Sequence, residues 1–136
     1  MFPDDLTTEV LAASMRGLEA RNTAIANNIA NADTPGYKRV DVSFESALAD
    51  AVQSDRARTS QSSSMPDLWN GDAANAVDDV APAVQSVDTT TMRVDGSNVD
   101  PDNEMAQLSA NQLAHQTVVS LLDKRFAQFR TAITGQ

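Results

Sequence analysis

From Leu11 onward the larger apolar residues recur at steps of four and three: Leu11, Met15, Leu18, Asn22, Ile25, Ile29 and Ala32, with Asn22 the one polar member. That spacing, held for three heptads, predicts a helix with a continuous seam. The seam suits either a coiled-coil partner or the buried side of an amphipathic helix on an ordinary core. Asp4, Asp5, Thr7 and Thr8 offer caps, so the helix is expected to start within residues 4–8 and the first segment to span 1–34. A set of small residues, Ala13, Gly17, Ala20 and Ala24, lies about 200° round from the seam. Glycine in an exposed helix costs about 1 kcal/mol relative to alanine, so Gly17 predicts a second backbone passing close by. Packing on both sides of one helix points to neighbouring subunits.

The helical pattern has to stop at Pro35-Gly36, because proline drives Thr34 out of helical dihedrals and glycine adds a second break. Asn22, Asn27, Asn28 and Asn31 make the approach to this stop rich in amides, with Asn31 placed to cap the last turn. Residues 35–52 read as a hinge, an extended piece (Tyr37 to Val40), then a short amphipathic segment with Phe44, Ala47, Leu48 and Val52 on one face. Residues 53–83 carry the Ser-rich tract Ser60-Gln61-Ser62-Ser63-Ser64 and one bulky pair, Leu68-Trp69, and are expected to be a flexible acidic loop. Residues 84–99 read as an extended stretch closed by a turn at Asp95-Gly96-Ser97-Asn98.

A second long helical pattern fills 100–136, with Asp100 as N-cap and Pro101 at the first helical position. Its seam is Met105, Leu108, Gln112, His115, Val119, Leu122, Phe126, Phe129 and Ile133. Two terminal helices of matched period and length predict an all-α fold. In it they form an antiparallel coiled coil, with an extended or short-strand, partly disordered middle region looping out between them.

Composition sharpens this picture. The chain has 136 residues, only 4% of them aromatic, and much of its 41% hydrophobic content is alanine, so a large self-sufficient core is not expected. The formal charge of −9 is concentrated in the middle, where residues 41–104 hold 13 acids against 3 bases. Nucleic-acid binders carry the opposite sign on one face. With no cysteine there is no disulfide framework or thiolate chemistry, and no stretch approaches a membrane-spanning run. The start, Met1-Phe2-Pro3-Asp4-Asp5, lacks the apolar segment of a cleaved secretory signal. The single histidine, His115, sits on the helical seam and reads as a polar core or interface residue. Gly96 stands at the wrong position of the Asp95–Glu104 acidic run for an EF-hand loop. No catalytic, cofactor or metal constellation is expected, and the chain is not read as an enzyme.

Ala26-Asn27-Asn28-Ile29-Ala30-Asn31-Ala32-Asp33-Thr34-Pro35-Gly36-Tyr37-Lys38-Arg39 resembles the N-terminal signature of bacterial flagellar axial proteins, the rod and hook family. Asp95-Gly96-Ser97-Asn98-Val99-Asp100 with Glu104-Met105 resembles the C-terminal signature of rod subunits. Phe44-Glu45-Ser46-Ala47-Leu48 and Leu122-Asp123-Lys124-Arg125-Phe126 are most similar to proximal-rod members. The resemblance covers roughly residues 5–50 and 93–134. It implies a structural subunit of the basal-body rod that crosses the periplasm, self-associates in a helical assembly and is exported by the flagellar type III apparatus without a cleaved signal. The implied partners are other rod subunits, the basal adaptor and the membrane-ring protein. The residues expected at assembly interfaces are Leu11, Met15, Gly17, Leu18, Asn22, Ile25, Asn28, Ile29, Asn31, Pro35, Gly36 and Tyr37 on the N-terminal side. Met105, Leu108, Gln112, Val119, Leu122, Phe126, Phe129 and Ile133 complete the set. The competing reading is a soluble coiled-coil chaperone or adaptor of a secretion system.

Overall fold

Helix α1 spans Leu6–Ala30, strand β1 Val40–Ser43, helix α2 Glu45–Gln61, strand β2 Ala83–Ser86 and helix α3 Pro101–Thr134. The structure, a computed structural model, describes residues 6–61, 76–88 and 96–135. Expectations for Ser62–Ser64, Leu68, Trp69, Thr89–Arg93 and Asp95 lie outside the described residues.

α1 ends earlier than Pro35 alone requires. From Asn31 the chain tightens into turns, with Ala32 N–H bonded to Ile29 O at 3.2 Å and Thr34 N–H to Asn31 O at 2.9 Å. The Asn31 side chain donates back to Asn27 O at 2.8 Å and satisfies a carbonyl of the last helical turn. Tyr37 N–H then closes on Thr34 O at 3.2 Å, with Pro35 second and Gly36 third at φ +73°. That is the residue order of a type II turn, where only glycine takes the positive φ cheaply.

The extended segments on either side of the middle region find each other. β1 and β2 pair antiparallel, Val42 opposite Val84 and Val40 opposite Ser86, so the fold is helical with a two-stranded sheet and is not all-α. Strand pairing follows from alternation: Val42 is buried while Asp41 and Ser43 face out. α2 continues to Gln61, nine residues past the expected end of the amphipathic segment, so 53–61 is helix and not loop. Nothing between Gln53 and Gln61 breaks a helix, and Ser54 is accommodated by donating back to Asp50 O and Ala51 O. Phe44, Leu48 and Ala51 form its buried face, whereas Ala47 is exposed.

A small core does exist. Ala13, Leu18 and Ala24 of α1 pack with Val42, Phe44, Leu48, Ala51 and Val77. Val77, from the segment expected to be loop, is completely buried. This core lies on the small side of α1, and it explains Gly17. A Cβ there would meet the Phe44 ring at 2.4 Å, so the close neighbour of this glycine is an aromatic ring of its own chain.

α3 packs on the other side of α1 and runs antiparallel to it: Asn28 meets Glu104, Leu18 meets Asn111, and Thr7 and Leu11 share a groove with Leu121 and Arg125. Its start is capped as expected, and its far end has a glycine cap. Asp100 accepts from Asp102 N–H and Asn103 N–H, and Gly135 closes the helix at φ +69°. The expected α3 seam divides in two. Leu108, His115, Leu122 and Phe129 are half-buried toward α1, while Met105, Gln112, Phe126 and Ile133 are exposed and Val119 is half-buried. On α1, Leu18, Ile25 and Ala32 are buried, Leu11, Met15 and Ile29 half-buried, and Asn22 exposed. The buried amides are Asn28 and Asn111 instead. With 34 residues against 25, α3 is about 51 Å long and α1 about 38 Å, so the end of α3 outruns its partner.

Candidate functional site: a buried polar latch

Where α1, β1 and the start of α3 meet, two polar side chains, those of Asn28 and Arg39, hold one buried carboxylate. Glu104 is 0% exposed, as is Asn28. A buried charge is tolerated only when it is paired and hydrogen-bonded, and Glu104 is both. Asn28 Nδ2 donates to Glu104 Oε2 at 3.0 Å, and Arg39 Nε donates to Oε1 at 2.5 Å.

Asn28 uses its full capacity of two donors and two acceptor sites. Nδ2 also donates to Val40 O at 2.8 Å, and Oδ1 accepts from Val40 N–H at 2.9 Å and from Tyr37 Oη at 3.3 Å. The amide therefore pairs with both backbone groups of Val40, as an adjoining strand would, and fastens β1 to the end of α1. An aspartate would lack the two donors; an apolar residue would lack all four bonds.

Arg39 spreads its fork across Glu104, Gln107 Oε1 (2.9 Å) and Asp41 Oδ2 (3.2 Å). Burial alone would lower its affinity for the proton, but the hydrogen bond and charge of Glu104, with Asp41 behind them, hold it above the ordinary guanidinium value. Its backbone is fixed too. Asn98, 5% exposed, accepts from Arg39 N–H at 2.6 Å and donates to Val87 O at 2.5 Å, while Val87 N–H bonds Arg39 O at 2.8 Å. Lys38 Nζ reaches Gly96 O at 3.0 Å, and the Gly36 and Gly96 turns lie against each other. The two sequence signatures are thus the two halves of one junction.

A second clamp lies further along α1. Arg21 donates from Nε and Nη2 to Val42 O at 3.2 and 2.8 Å, pairs with Glu45 at 2.6 Å, and lies 5.0 Å over the Phe44 ring. The hydrogen bond from Arg21 holds the Glu45 carboxyl below its usual range, against a smaller opposing effect of burial. About one turn before Arg21 on α1, Leu18 O accepts from Asn111 Nδ2 at 3.0 Å, and the Asn111 Oδ1 is buried with no partner.

Of the residues expected at assembly interfaces, Gly17, Leu18, Ile25 and Asn28 are covered within this chain. Asn31 caps its own helix, and Tyr37 is half-buried in the latch. Asn22, Pro35, Gly36, Met105, Gln112, Phe126 and Ile133 remain exposed. Reading the sequence missed Arg39, Asn98, Glu104 and Asn111 as structural polar residues. A signal was present: Glu104 and Asn111 stand in line with Leu108 and His115 on the α1-facing side of α3, where a charge needs a partner.

The family model for the flagella basal body rod protein matches residues 11–38, from the second turn of α1 to the edge of the latch. The flagellar basal body rod protein FlgB of Bacillus subtilis is 32% identical over 135 residues, covering 95% of this chain and 94% of the relative. The chain belongs to the flagellar basal-body rod protein family. The Cereibacter sphaeroides FlgB is 33% identical over 99% of this chain and 98% of its own length. That of Escherichia coli K12 is 34% identical over 75% of this chain and 74% of its own. For a rod-family chain the latch has a plain role: it fastens the family-matched segment to α3, which begins 63 residues after that segment ends. Among the described residues no helix is long and apolar enough to cross a membrane, and no cluster of three metal-ligating side chains occurs.

Proposed function

We propose that this chain is a structural subunit of the bacterial flagellar basal-body rod, in its proximal part, and that it works by assembling and not by turning over a substrate. The observation that carries this is kinship with FlgB proteins along nearly the whole chain, α3 included. The architecture supports it. A small core and the latch make a stiff paired-helix unit, while α3 keeps an apolar edge uncovered. In the assembled rod, α1 and α3 act as one arm of a coiled coil completed by adjoining subunits, so the partners are further copies and other rod proteins. The basal adaptor and membrane-ring protein are the contacts at the rod's base, and the flagellar type III apparatus is the route to the periplasm. Kinship with rod proteins of this length leaves the chaperone or adaptor reading without support.

Deletion of the gene, followed by electron microscopy of purified basal bodies, tests the proposal. The expected result is basal bodies without a rod and non-motile cells, restored by the gene supplied in trans. Complete rods in the deletion strain would remove the proposal.

A further inference from the structure

One edge of α3, flanking its contact with α1, has a regularity of its own. Met105, Gln112, Val119, Phe126 and Ile133 recur at intervals of seven, so they drift only about 20° per step and form one edge along about 42 Å of helix. The edge is polar or half-covered in its middle and apolar at both tips: Met105 is 58% exposed, Phe126 52% and Ile133 78%. The tips also differ in charge. Asp102 stands one turn before Met105, with Asp100 as cap, while Arg130 stands between Phe126 and Ile133, with Lys124 and Arg125 just before. The basic tip lies where α3 outruns α1.

We infer that α3 carries a head-to-tail contact between copies of this chain. The basic, apolar tip (Phe126, Arg130, Ile133) of one copy seats on the acidic, apolar tip (Asp102, Met105) of the next. The reading rests on the rod assignment and names one contact within it. Charge complementarity selects a second copy of this chain: the two tips match each other in sign and in apolar character, yet on one helix they are too far apart to meet. Because the two surfaces differ, the contact is heterologous and does not close on itself, so repetition gives an open helical assembly.

The test is self-association of the full chain by sedimentation velocity, with circular dichroism confirming that the helices are retained. Arg130→Glu and Asp102→Arg, each alone, are expected to weaken self-association about three- to tenfold, since each sets like charges face to face. The double variant, with the charges exchanged, is expected to recover to within about twofold of the parent. A photo-crosslinking residue at Ile133, in a mixture of heavy-isotope-labelled and unlabelled chains, is expected to give intermolecular products within residues 100–109. Single variants that associate normally, a double variant that stays weak, or crosslinks found only within one chain would each overturn the contact. Normal rods and motility in the single variants would also overturn it while leaving the rod assignment intact; rods in the gene-deletion strain would remove both.

Discussion

Asn28 and Glu104 stand 76 positions apart and share a 3.0 Å hydrogen bond, Nδ2 to Oε2, with neither side chain reached by solvent. That bond ties the end of α1 to the first turn of α3, and it is one of four that the Asn28 amide makes. Asn28→Ala strands the Val40 backbone groups and one oxygen of Glu104. It is expected to cost about 3 kcal/mol or more, because several buried polar atoms lose partners together. Thermal unfolding followed by circular dichroism measures this, and a variant melting within a degree or two of the parent would show that the latch contributes little.

The Arg39–Glu104 pair is expected to behave non-additively. Arg39→Met alone leaves a buried carboxylate with a single side-chain donor, and loss of about 3–5 kcal/mol is expected. Arg39→Met with Glu104→Leu removes both charges and should be less damaging than either change alone. Urea midpoints for the three variants and the parent complete the cycle; additive losses would argue against direct coupling.

Gly17 is expected to be intolerant for a reason internal to the chain. An added Cβ would stand 2.4 Å from Phe44 Cγ, so Gly17→Ala must displace a buried ring and should cost about 1–3 kcal/mol. Phe44→Leu, introduced together with Gly17→Ala, should return part of that loss. If Gly17→Ala leaves the isolated chain unaffected and blocks only assembly, a neighbouring subunit and not Phe44 is what the position serves.

Acid should loosen the second clamp. The Arg21 hydrogen bond holds the folded-state Glu45 carboxyl below its ordinary 4.5, so its contribution is present above that value and is lost as pH falls through the lowered folded value. Glu45 is more than half exposed, so solvent screening keeps the effect small. Melting temperatures of the parent and Glu45→Gln, compared between neutral and acidic pH, should converge toward the acid end. Curves that stay parallel throughout would remove Glu45 from the pH response.

Much of the local structure was legible in the chain. The Asp100-Pro101 helix start, the break at Pro35-Gly36 and the Asn31 cap follow from dihedral limits and from the need of helix ends for hydrogen-bond partners, both properties of a few adjacent residues. The continuation of α2 to Gln61 was less legible, because weak helix formers such as Ser54 give no clear signal until Leu48 and Ala51 anchor the turn before them. Gly17 marks a site of close approach, but its neighbour is the Phe44 ring, 27 residues further along, and not a second backbone.

Sequence by itself determined the two terminal helices, their heptad spacing, the turns between them and the rod-like signatures, because each rests on short-range periodicity and backbone sterics. Only the tertiary structure decided which half of the α3 seam faces α1, that β1 and β2 pair, and that Asn28, Arg39 and Glu104 form one network. Those outcomes depend on a buried carboxylate finding its donors from distant parts of the chain, and no local pattern encodes which distant residues those are.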